Sequence, residues 1–259
     1  NIRMLLDDNS RISLSNNDSG SSNTVFGYLS GVSLASGGNE NCLFGHHAGN
    51  ELKLADRNIA IGYNAMFDSY IDDTQDALTF DNVFIGHGSG SGSWTGAASK
   101  GNVGVGTSTM DANMDTAYYN TALGNSALSG LTSGDENTAI GGDAGKQLTS
   151  SDDNTFVGYQ SGFYTTGAIN TYVGHSAGKG ASGAETNNVG IGGSALLSVT
   201  SGSYNTAVGA YAGDAITTSS NCTLIGRAAG SGINSTDANG TVCVGNDSGE
   251  SITSAIGST

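Results

Sequence analysis

Histidines, carboxylates and thiols are the side chains of this sequence best equipped for chemistry, and their spacing limits what each could do. His46, His87 and His175 each follow a glycine directly, in Phe44-Gly45-His46, Ile85-Gly86-His87 and Val173-Gly174-His175. Imidazoles at one recurring register could gather round a metal ion or an anion if several chains met on an axis. The same register holds Tyr28, Tyr63, Tyr159, Thr107, Asn125 and Arg227 elsewhere, so it reads as a tolerant turn position, and no metal or cofactor is expected. His47 is adjacent but out of phase.

The carboxylates cluster in loops: Asp72, Asp73, Asp76 and Asp81, then Asp135 with Glu136 and Asp152 with Asp153. Their spacing is neither that of an EF-hand loop nor that of the nonapeptide calcium repeat, and they read as solvated, mutually repelling loop tips. They also do not recur as the facing pair that glycoside hydrolysis requires. Gly86-His87-Gly88-Ser89-Gly90 has the look of a phosphate loop or nucleophile elbow, but without a lysine or a strand-to-helix context. Cys42, Cys222 and Cys243 occupy positions held elsewhere by Thr, Val, Asn or Ala, as small buried residues rather than a disulfide framework. No enzyme is indicated.

What positions all of these residues is a repeat. Thirteen glycines, at 27, 45, 62, 86, 106, 124, 141, 158, 174, 192, 209, 226 and 245, close short segments running Asn, β-branched, small or aromatic, bulky aliphatic, Gly. A fixed period near 17 residues predicts an all-β parallel solenoid of about 13 rungs. The composition agrees: 42 Gly serve as turn residues at fixed phase, and the absence of Pro keeps every ladder donor. Residues 1–20 read as an N-terminal β segment, cap or link to a preceding domain, and 21–259 as the repeat array. The chain opens at Asn1 in mid-pattern, as expected of a segment of a longer protein.

Within one rung, the residue before the glycine is bulky and apolar throughout, from Phe26 and Phe44 to Val244. Two residues earlier stand Thr24, Cys42, Ile59, Val83 and their equivalents. Alternation puts these two rows on one face, assigned to the chain's own core. The row between them includes Val25, Leu43, Ala60, Phe84, Ala122, Ala139, Phe156, Tyr172, Ala207 and Leu224, and none of it is charged. An uncharged outer row in an acidic, Ser-rich protein predicts that it meets another chain. Asn precedes the strand from Asn23 to Asn205, then shifts to Asn221 and Asn239, and suits a stacked amide ladder. A second apolar row seven residues after the glycine, including Leu34, Leu52, Leu131 and Leu148, completes a thin core.

The rung Asn137-Thr138-Ala139-Ile140-Gly141-Gly142-Asp143-Ala144-Gly145 resembles the head repeats of trimeric autotransporter adhesins, and more closely the longer repeats of phage tail-fibre proteins. The opening Asn9-Ser10-Arg11-Ile12-Ser13-Leu14-Ser15-Asn16-Asn17-Asp18 is similar to sequence in structural proteins of marine phages. The resemblance spans nearly the whole chain, although the rungs here are longer than those of adhesin heads. It implies a left-handed parallel β-roll assembled as a homotrimer: a rigid segment of a phage tail or virion fibre that presents loops for host attachment. A bacterial cell-surface adhesin head is the alternative, and a polysaccharide depolymerase spike a more distant one. The setting implied is the virion or an extracellular cell surface, with further fibre components at the ends.

The loops widen between Gly62 and Gly106, and with the segment that follows they contain Tyr70, Phe80, Trp94, Tyr118 and Tyr119, the expected contacts for a host glycan or protein receptor. The net charge of −15 disfavours nucleic acid and anionic membrane as partners, and favours a neutral or cationic ligand. No stretch reaches the roughly 18 apolar residues of a membrane span, so no insertion is expected.

Overall fold

A computed structural model describes residues 22–68, 79–94, 98–180, 183–234 and 238–252. Among them are thirteen three-residue strands and no α-helix. The strands are β1 (Thr24–Phe26), β2 (Cys42–Phe44), β3 (Ile59–Ile61), β4 (Val83–Ile85), β5 (Val103–Val105), β6 (Thr121–Leu123), β7 (Thr138–Ile140), β8 (Thr155–Val157), β9 (Thr171–Val173), β10 (Val189–Ile191), β11 (Thr206–Val208), β12 (Thr223–Ile225) and β13 (Val242–Val244). They form one parallel sheet in chain order, with each residue in register with its equivalent in the next rung, as in Thr138↔Thr155, Ala139↔Phe156 and Ile140↔Val157. The chain is a β-solenoid, and at about 4.8 Å per step its rungs build a rod roughly 60 Å long.

Stacking at that spacing dictates the glycine column. Every rung glycine has φ between +125° and +142°, a range that L side chains rarely adopt. Each also lies under its successor: a Cβ at Gly141 would sit 2.5 Å from the carbonyl oxygen of Gly158, and one at Gly226 2.4 Å from that of Gly245. The next turn closes with the amide four residues on, which bonds across to the neighbouring rung, as in Gly145 to Ser161 O at 2.9 Å and Leu128 to Ala144 O at 3.0 Å.

Beside the strands runs the amide ladder. Each Asn Oδ1 accepts the backbone N–H of the next Asn, and for most steps its side-chain N–H as well, as for Asn137 on Asn120 at 2.9 and 3.0 Å. The Asn120 Nδ2 donates in turn to Gly134 O at 2.7 Å. The ladder runs from Asn23 to Asn205, after which Cys222 and Thr241 take its place. Cys222 N–H bonds to Asn205 Oδ1 at 3.0 Å, and its thiol points at Ala238 O at 3.4 Å. Asn221 and Asn239 therefore lie outside the ladder, contrary to the sequence register: Asn221 sits one position early with φ +61°, and Asn239 accepts the Ser220 amide at 2.7 Å.

The two faces of the sheet are opposite to the sequence expectation. The middle residue of each strand points into the coil: Leu43, Ala60, Phe84, Ala122, Ala139, Phe156, Tyr172, Ala207 and Leu224 are all fully buried, and Val25 of the end rung is half-buried. None of these ten is an intermolecular contact. The flanking rows point outward, with Phe44 53%, Leu123 47% and Ile225 42% exposed. The reason is volume. A coil with three-residue strands has room for one inward side chain per strand, and the returning segment fills the rest.

That filling is complementary. Where the middle residue is large, as in Phe84, Phe156, Tyr172 and Leu224, the residue six positions later is Gly90, Gly162, Gly178 or Gly230, whose missing Cβ would collide with the ring or branched side chain. Where the middle residue is Ala60, Gly104, Ala122 or Gly190, the same place holds Met66, Met110, Leu128 or Leu196, each fully buried. These four take φ of +44° to +51°. The left-handed conformation costs a non-glycine residue about 1–2 kcal/mol, and burial of the side chain contributes about 1.5–3 kcal/mol in return.

Gly141→Ala should lower stability by roughly 1–3 kcal/mol through a forbidden φ and a clash with Gly158. Gly193→Ala should leave it unchanged, because its Cβ would meet nothing within 4 Å. Thermal melts of the two variants followed by circular dichroism check the contrast.

Candidate functional site

Two surfaces stand out on this scaffold: the outward face of the sheet, and the row along the edge of its wide rungs. The outward face carries Thr24 and Phe26 on β1, Cys42 and Phe44 on β2, Ile59 and Ile61 on β3, and so on to Val242 and Val244 on β13, with no charged residue in any rung. Phe26 and Phe44 stack in parallel, with ring centroids 4.9 Å apart. Continuing from that face, the residue after each glycine forms an exposed aromatic column in the first four rungs. Tyr28, His46, Tyr63 and His87 follow one another at centroid separations of 5.2, 5.1 and 5.1 Å. The column spreads the histidines along the rod: His46 and His87 are separated by Tyr63, and His175 pairs with Tyr159 much further along, at 5.5 Å. Among the described residues no group of three His, Cys, Asp or Glu side chains is placed to hold a metal ion.

The edge row lies two residues before each ladder position. Short polar side chains in it reach back to the preceding rung's amide: Asp56 Oδ1 accepts from Asn39 N–H at 2.8 Å, Asp135 Oδ1 from Tyr118 at 2.7 Å, and Asp152 Oδ1 from Asp135 at 2.8 Å. These carboxylates therefore tie rungs together, where the sequence suggested solvated loop tips. Ser203 and Ser220 play the same part further on, at 3.1 and 3.0 Å. In the wide rungs the row becomes Phe80, Lys100 and Tyr118, and isolated parallel backbone bridges link Asp56, Phe80, Lys100 and Tyr118 instead.

The five expected receptor contacts divide. Phe80, Tyr118 and Tyr119 come together around the Lys100 ammonium, which lies 5.6, 5.3 and 5.8 Å from their ring centroids. Tyr119 is 57% exposed, and Phe80 and Tyr118 are half-buried. Trp94 is not a surface residue: it is fully buried, edge-on to Phe84 with centroids 5.6 Å apart. The longer loop advances the second apolar row by one residue, so that Trp94 and Met114 fill the core eight positions after their glycines, where Leu52 or Leu131 does so after seven. Tyr70 lies outside the described residues. Sequence reasoning did not find Lys100 or Arg57 as partners of the aromatic group, although their shared register with Phe80 and Tyr118 was there to be read.

The buried ionisable groups are not arranged as a reaction centre. Burial pushes the thiols of Cys222 and Cys243 up, away from the nucleophilic thiolate. Glu185 is the one charged-type residue in a row otherwise made of Gly, Ala, Ser and Thr, three positions before the ladder. It is fully buried beside Tyr172, and neither carboxyl oxygen has a hydrogen-bond partner. Burial raises it to about 8, offset in part by its own amide and Thr165. Tyr172 is raised well above the usual phenol, first by burial and then by Glu185. Comparison with family profiles, curated proteins and solved structures finds no match to this chain.

Folded Glu185 keeps its proton up to about pH 8, whereas the unfolded chain loses it near 4.5, so unfolding releases a proton between those values. Stability should fall as pH rises through that window and level off above it. Glu185→Gln should remove that part of the slope and raise the melting temperature at pH 8, as measured by melts of both proteins from pH 4.5 to 9.

Proposed function

We propose that this chain is a structural rod that associates with copies of itself through the outward face of its strands, as a segment of a phage tail or virion fibre. One observation carries the reading: thirteen successive strands expose Thr, Val, Ile, Leu, Cys and Phe, and no charge, on a protein whose net charge is −15. At roughly 60 Å by about 12 Å the face offers on the order of 700 Å². That exceeds the few hundred Å² of contiguous apolar surface usual on a monomer and approaches the ~800 Å² per partner of a standard interface. An identical straight face on every copy suits closed symmetric association, and the resemblance to fibre and adhesin repeats makes three the expected number.

The remaining surface supports a scaffold rather than an enzyme. Asp81 is paired with Arg57 at 2.7 Å, and Asp135 and Asp152 are engaged by backbone amides, which leaves these carboxylates serving the rod. Rigidity follows from bonds between rungs on the strand, the turn and the ladder at once, while the wide rungs carry the chemically varied surface.

Sedimentation of the whole chain should give three copies. Ile140→Asp combined with Val208→Asp should yield a folded monomer, because these half-exposed side chains face outward. Ala139→Asp should instead unfold the chain by placing a carboxylate in its own core. A wild-type chain that stays monomeric at high concentration overturns the reading.

A further inference from the structure

We propose that Lys100, with Tyr118, Tyr119, Phe80 and Arg57, forms a binding site for an acidic saccharide. The edge row elsewhere holds short acceptors that bond the preceding rung, as Asp56, Asp135 and Asp152 do. At Phe80, Lys100 and Tyr118 that task passes to backbone bridges, with Gly101 N–H on Phe80 O at 3.3 Å and Tyr119 N–H on Lys100 O at 3.0 Å. The fold therefore does not require these side chains at the edge, and three consecutive rungs replace acceptors with aromatic, cation and aromatic.

The group has the composition of a saccharide site. Lys100 Nζ lies within 6 Å of three ring centroids, which orients the ammonium. Among the described residues no carboxylate forms an ion pair with it. Arg57 stands on the far side of Phe80, 5.4 Å from the ring centroid, and is held there by Asp81 at 2.7 Å. Two of the chain's 8 cationic residues thus sit one rung apart on a surface of net charge −15. A neutral or cationic ligand, which the overall charge favours, has no use for them here. A carboxylate or sulfate fits the ammonium, and the phenol rings of Tyr118 and Tyr119 offer an apolar face and hydroxyls to a polyhydroxylated ring. Only two cations in such a field are too few for nucleic acid, whose binding needs a cationic stripe. Parallel copies on one rod would repeat the site and multiply weak affinities along an acidic polymer.

The inference deepens the fibre reading by naming the ligand class of its wide rungs, and binding is measured apart from assembly so that either can fail alone. Calorimetric titration of the whole chain with polygalacturonate and chondroitin sulfate should show binding that weakens with salt, and dextran of similar length should not bind. Lys100→Met should reduce affinity at least tenfold and Lys100→Arg should retain most of it, while Tyr119→Ala should reduce it several-fold at unchanged melting temperature. Oligomeric state, from sedimentation, should be the same for all four proteins. Failure of both acidic polymers to bind, equal binding of dextran, or equal affinity of Lys100→Met and wild type would each overturn the proposal, even if the chain is trimeric.

Discussion

The structure depends on rungs lying one β-ladder spacing apart along their whole contour, turns included. At a strand, that spacing is ordinary. At the corner after each strand it brings backbone over backbone, and a Cβ would fall on the next rung's carbonyl. Only glycine satisfies both that proximity and a φ above +120°. With the corners fixed, the remaining features follow in phase: the amide ladder keeps register, the turn amides bond between rungs, and each strand admits one side chain to the interior. Variation is confined to the loop before the ladder, where an insertion lengthens a rung without disturbing its neighbours.

The architecture was legible because its signals recur. A single Asn-Thr-Ala-Ile-Gly means little, whereas thirteen glycines at near-constant spacing leave a solenoid as the reading, and every strand lies where that spacing puts it. The inside and outside of the sheet were not legible by the same means. Strict alternation says which residues share a face, not which face is enclosed, and the rule that bulk belongs in the core pointed the wrong way. In a coil this narrow, the bulky row before the glycine is too large to be enclosed in every rung.

A second signal in the sequence resolves the point. The middle residue and the residue six positions later exchange size: Phe84 with Gly90 and Tyr172 with Gly178, against Gly104 with Met110 and Gly190 with Leu196. Two positions conserve volume jointly only if they share one enclosed space, so this exchange marks the middle row as interior. No such compensation links Phe44 or Ile140 to any other position. At the candidate site, Trp94 misled because loop length and aromatic content suggested exposure, when a one-residue advance of the inward row had brought it into the core. Phe80, Tyr118 and Tyr119 kept their ladder phase and were therefore found.

The hydrogen bonds between rungs run along the rod, and that gives the chain a mechanical character. Tension applied at its two ends loads the bonds of an end rung first, while those of inner rungs stay shielded, so rupture proceeds as peeling and not as simultaneous shear. Each rung released converts about 4.8 Å of rod into roughly 17 residues of slack chain, about 55–60 Å when drawn out. A pull that would snap a brittle tether is thereby dissipated in a series of yielding steps, each followed by an intact, shorter spring of the same design.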